Sequence, residues 1–233
     1  MKLNQITKML ILGSVVSLPV TAAELEISVT NLTHGNHFTP LLIAAHDMDS
    51  HLFQAGEMAT PALQKMAEGG DIGDLDAAVT GAGGVTVVNP AGGLLAPSGK
   101  VDSIMLDTGD MTHLSITAMV LPTNDAFVGL NAWKIPAEAG SYTFTLNAYD
   151  AGTEANDEIV NGGGMSGVPG IPAAPSGDGG MNATGVMDMS SNDKVHIHPG
   201  VLGDTDLQGG MSDLDSRVHR WLNPVARVTV VVK

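Results

Sequence analysis

The sequence predicts an all-β protein, an antiparallel sandwich or barrel with short helices in its connections. Three observations predict it. Four runs between residues 101 and 150 are strand-like: "VDSIMLD", "HLSITAMVLP", "AFVGLNAWKIP" and "SYTFTLNAYD". The turn signals "DTGDMT", "TND" and "AEAG" separate them, and short strands at that spacing mark antiparallel sheets. A further strand-like run stands near each end, "LEISVTNLT" at residues 25–33 and "PVARVTVVVK" at 224–233.

The remaining elements follow in chain order. Residues 38–47, "FTPLLIAAHD", read as a second strand, mostly buried from Leu41 to Ala45. Thr60 as N-cap, Pro61 at the first helical position and Gly69-Gly70 as stop delimit a short helix over residues 61–68. "DLDAAVTGAGGV" carries at most another helical turn before it dissolves into glycine, and residues 89–100 read as loop. Residues 160–190 are rich in Gly, Pro, Met and Ser and read as a long mobile loop without a core of their own. "KVHIHPG", residues 194–200, reads as a short extended segment, and Ser212 offers an N-cap for one or two helical turns over "SDLDSRVHRWL".

The first 23 residues read as a secretory signal peptide. Lys2 and Lys8 form a basic leader, residues 9–20 are mostly apolar, and Thr21-Ala22-Ala23 supplies small residues for cleavage. The apolar run is too short to span a bilayer well, so no membrane insertion is expected. Residues 24–233 then form one β domain, exported to the periplasm or the extracellular space. Without Lys2 and Lys8 the formal net charge moves from −15 to −17. Such a surface repels nucleic acid and anionic lipid and attracts cations or basic partners. There is no cysteine, so the domain holds itself by core burial, with or without help from a bound ion.

The densest chemistry is the stretch "YTFTLNAYDAGTEANDE", residues 142–158. It places Asp150, Glu154, Asp157 and Glu158 around Gly152, where a strand ends. Calcium takes six to eight oxygens, so one short loop rarely suffices. Asp125, at the start of the preceding strand, is the natural second source. In an antiparallel pair the start of one strand lies beside the end of the next, which brings Asp125 and Asp150 to one end of the sheet. The loop is not an EF-hand, because Ala155 stands where that loop has glycine and no helices flank it. Solvated surface charge is the alternative reading of such an acidic run.

These residues resemble a known family. "TNDAFVGLNAW", "YDAGTE", "HPG" and the closing "NPVARVTV" resemble the spondin-N domain, the amino-terminal module of F-spondin and mindin, and its bacterial single-domain members most of all. "FTPLLIAAHDMDSHLFQAGEMATPALQKMAEGGD" is similar to the front half of that domain, so the resemblance runs over about residues 25–232. It implies a C2-like antiparallel β-sandwich and a calcium site in the loops at one end. Asp125 would match the acid before the family's aromatic-Val-Gly strand, and Asp150 and Glu154 the two acids of its Trp-Asp-Ala-Gly-Thr-Asp motif. Asp125, Asp150 and Glu154 are therefore the expected metal ligands, and calcium the expected ion. Tyr149 stands in place of the motif's Trp and Glu154 in place of its second Asp, and the cysteines of the animal domain are absent. The implied role is a calcium-binding adhesion or matrix-type module without catalysis, facing an unidentified extracellular protein or glycan.

Two alternatives come from other residues. His46 and His51, with Asp47 and Asp49 between them, and the pair His196 and His198 could together form a copper or zinc site if the fold joined them. A hydrolase with an unrecognised site is the other, with Asp107 and Asp110 as a carboxylate pair. Neither a Gly-x-Ser-x-Gly elbow nor a phosphate loop is present.

Overall fold

The computed structural model describes residues 23–187 and 193–233, and the predicted signal peptide lies outside them apart from Ala23. The described chain is all-β, with ten strands and two short helices. The strands are β1 (Glu24–Asn31), β2 (His37–Phe38), β3 (Leu42–His46), β4 (Val85–Val88), β5 (Lys100–Asp107), β6 (His113–Leu121), β7 (Ala126–Lys134), β8 (Gly140–Asp150), β9 (His196–Ile197) and β10 (Ala226–Val232). Every ladder is antiparallel, in the order β4-β3-β6-β7-β8-β10-β1-β5, with β2 on β6 and β9 on β8. The outer strands β4 and β5 approach each other, so the sheet nearly closes on itself.

β8 makes the corner. Its first part, Gly140 to Leu146, pairs with β10, and its last part, Asn147 to Asp150, pairs with β7. One long strand thus joins the two halves of the sandwich. The main core lies between these halves and includes Ile27, Val29, Ile43, Ile116, Val128 and Val228. A second cluster lies under the helices, where Leu42, Met119 and Phe127 meet Leu63 and Met66. β3 and β6 are therefore covered on both faces, which explains why they read as unbroken apolar runs rather than alternating ones.

The helix α1 (Pro61–Gly69) forms where its caps predict. Thr60 accepts from the Leu63 N–H at 3.1 Å, and Gly70 ends the helix in the left-handed region, donating to the Met66 carbonyl. The segment expected to hold one turn is a full second helix, α2 (Gly73–Gly81), which buries Leu75 and Val79. β4 was not expected, because four residues, Gly81 to Gly84, hide it. β3 supplies its partner ladder, with Ile43 opposite Val87. The expected strand at residues 38–47 divides at Pro40 into β2 and β3.

One expectation fails. Residues 212–222 form turns instead of a helix. The Ser212 hydroxyl donates to Glu158 while accepting from the Leu214 N–H at 2.9 Å, so it closes a tight turn instead of capping a helix. The glycine-rich segment, described to residue 187, is anchored along its length. Gly167 donates to Glu68, Gly170 to Glu154, Ala183 to Asp213, and Ile171 to the Ile159 carbonyl.

Candidate metal centre

The register of β7 and β8 sets the site. Ala126 lies opposite Asp150, so the preceding residue, Asp125, is held beside the end of β8, and the Ala151 N–H reaches the Asp125 carbonyl at 3.3 Å. On its other side Asp150 faces His196 of β9. Gly152 then turns the chain at φ +70°, and a Cβ there would lie 2.7 Å from the backbone of Asp193 and Lys194. No other residue fits that turn.

Asp125 is fully buried. Its Oδ2 accepts from the Thr153 N–H at 2.8 Å, the Thr153 hydroxyl at 3.2 Å and the Glu154 N–H at 3.1 Å. Its Oδ1 is buried with no partner. Burial, reinforced by the charge of Asp150, pushes the Asp125 carboxyl up to about 7 against the pull of those three hydrogen bonds. Asp150 is also buried. Its Oδ1 accepts from the Gly152 N–H at 2.8 Å and its Oδ2 from the Asn156 amide at 2.7 Å. His196 Nδ1 and His198 Nε2 each lie 3.9 Å from one of its oxygens.

Glu154 behaves differently. Its N–H binds Asp125, but its carboxylate turns toward the glycine-rich segment, where Oε2 accepts from Gly170 N–H at 3.0 Å and the Asn124 amide at 3.4 Å. Its Oε1 is buried and unpartnered. Burial raises this carboxyl to about 7, and the nearby acids Glu68 and Asp157 add to the rise. The structure thus brings Asp125 and Asp150 together and sets the Glu154 carboxylate among a second group of acids. Among the described residues no three His, Cys, Asp or Glu side chains gather in a way that would hold a metal ion by themselves.

The other acids of the loop have separate tasks. Asp157 accepts from the Asn124 amide at 2.9 Å. Glu158 is buried and saturated by the Leu202 N–H at 2.6 Å, the Gly203 N–H at 2.8 Å and the Ser212 hydroxyl. Sequence reasoning missed Asn124, whose amide ties Glu154 and Asp157 to the strand start while its carbonyl oxygen accepts from Glu158 N–H at 3.2 Å. Its position immediately before Asp125 was the only signal available.

The four-histidine site is not assembled. His46 lies opposite His113, and His113 opposite Lys134, at the end of the sheet remote from Asp150 and His196. His46 is fully engaged there, Nδ1 donating to the Asp47 carbonyl and Nε2 accepting from Ser115, both at 2.7 Å. His51 reaches Asn131 instead, at 3.3 Å. Asp107 shapes the β5–β6 turn by accepting from the Gly109 N–H at 3.0 Å.

A profile of the Spondin_N family matches residues 30–159, more than half of the chain. The chain belongs to the spondin-N family. No curated protein matches it. The matched region of this spondin-N domain holds Asp125, Asp150 and Glu154 and ends before "HPG" and "NPVARVTV". The family is a binding-type domain, typically extracellular and not enzymatic. Among the described residues no helix is long and apolar enough to cross a membrane.

Proposed function

We propose that this spondin-N domain is an exported, non-catalytic binding module that holds calcium at the Asp125–Asp150 end of its sandwich. The observation that carries this reading is Asp125. A fully buried carboxylate with one unpartnered oxygen, packed beside a second buried carboxylate, is costly unless a cation joins it. The donors are hard oxygens, which suit calcium better than a transition metal. Asp125 and Asp150 form the nucleus, and Glu154 offers a second unpartnered oxygen nearby in sequence. Backbone carbonyls and water complete a calcium shell readily, so three convergent acids are not required. The ion would fix the β7 start to the loop after β8, and so set the surface presented to an extracellular protein or glycan.

The test is a thermal melt of the mature protein after chelation, with and without millimolar calcium. At a concentration a hundredfold above the dissociation constant, linkage gives about 2.7 kcal/mol, a rise of roughly 5–10 °C for a chain of this size. An unchanged melting temperature would remove the calcium reading.

A further inference from the structure

A cleft of about 260 Å³ opens against Asp150, lined in part by Glu158, His196, Arg220, Met187 and Leu202. Its two carboxylates are held by other donors of the chain. Asp150 accepts from Gly152 and Asn156, and Glu158 from Leu202, Gly203 and Ser212. Arg220 pairs with neither of them. It is exposed and forms no ion pair among the described residues, whereas Arg217, three residues earlier, grips Asp215 at 2.7 Å. In a chain with 25 acids and 10 bases, Arg220 thus keeps an unpaired guanidinium although two carboxylates line the same cleft.

The rest of the lining is of two kinds. His196 donates from Nδ1 to the Lys194 carbonyl at 2.8 Å, which leaves Nε2 for another partner, and its side chain is 30% exposed. Met187 is 81% exposed and Leu202 58% exposed, apolar surface that gains when covered. Two lining residues have positive φ: Glu158 at +57°, uncommon for a residue other than glycine, and Gly200 at +92°, where a Cβ would lie 2.8 Å from the Trp221 carbonyl oxygen.

We propose that this cleft binds a small monocarboxylate with an apolar body. Arg220 takes the carboxylate through its two-pronged guanidinium, Met187 and Leu202 cover the apolar part, and the His196 ring borders the bound molecule without donating to it. The site stands apart from the calcium reading and survives its failure, although Asp150 borders both.

The experiment is an NMR titration of the mature protein with monocarboxylates from acetate to 3-phenylpropionate, and with the neutral 3-phenylpropionamide. Saturable binding is expected, tightening with the apolar body, with Arg220 and His196 resonances shifting together. The amide, and the Arg220→Gln variant titrated with the acid, should each bind about tenfold more weakly. Arg220→Gln should melt like the wild type, because its side chain is exposed and unpaired. Equal binding of acid and amide, unchanged binding by Arg220→Gln, or no saturable shift with any of these acids would overturn the proposal.

Discussion

At one end of the sheet His46 is buried with both ring nitrogens bonded, one to Asp47 and one to Ser115. At the other end Asp125 is buried with one oxygen triply bonded and the other without a partner. The two groups are equally hidden, yet they differ in kind. His46 is complete within the chain, and burial holds its imidazole below its ordinary value, in the neutral form. Asp125 is incomplete, and its neighbour Asp150 worsens the deficit by adding a like charge. Satisfied buried polar groups hold a fold together, whereas an unsatisfied one beside a like charge points to something outside the chain.

Perturbing each end sharpens that contrast. The largest effect is expected at Glu158, a carboxylate of the acidic loop that is as complete as His46. Glu158→Ala would strand the Leu202 and Gly203 N–H groups and the Ser212 hydroxyl. It should cost about 3 kcal/mol or more, equal in chelator and in calcium, by urea denaturation. An intact stability would mean that the loop is not anchored as described. His46→Leu should cost less, about 2 kcal/mol, because the Ser115 hydroxyl proton and the Asp47 carbonyl lose their His46 partner while Ser115 still accepts from the Ala132 N–H. It too should leave any calcium response untouched; a changed response would couple the two ends and dissolve the comparison.

A further contrast is a pH slope. Asp125 and Glu154 are both raised to about 7 when folded. Between the ordinary carboxylate range and about pH 7 the folded chain keeps protons that the unfolded chain has released. These two carboxyls therefore make the calcium-free protein less stable as pH rises through that window. Asp215, held down at about 2 by Arg217, contributes in the opposite sense, and its share is lost only at lower pH. His37, His46 and His219, held below their ordinary value by burial, pull the other way in the same window, so the slope is read by chemical denaturation in chelator at pH 5 and pH 8 on wild type against Asp125→Asn. A pH dependence left unchanged by Asp125→Asn would contradict the raised carboxyl.

Much of this architecture was legible because strands impose a period. The β7–β8 pairing placed Asp125 beside Asp150 from sequence alone, since antiparallel register leaves little freedom. The helix at Thr60–Pro61 was equally clear from its caps. What escaped lies where no period applies. β4 hides behind Gly81 to Gly84 and exists because β3 offers an edge. Ser212 has the side chain of a helix cap, but a buried carboxylate 54 residues earlier claims it. Glu154 matches the acid position of its motif. The direction of its side chain is set by Gly170 and Asn124, contacts that local sequence does not encode.

The most direct test of the central claim compares wild type with Asp125→Asn by thermal melting at pH 8, each in chelator and in millimolar calcium. The asparagine amide oxygen can keep the bonds from Thr153 and Glu154 while removing the buried charge. The account predicts that the order of stability reverses. Asp125→Asn should be the more stable protein in chelator, by about 1 kcal/mol, and the less stable one in calcium. The same order in both conditions, with neither protein shifted by calcium, would contradict it.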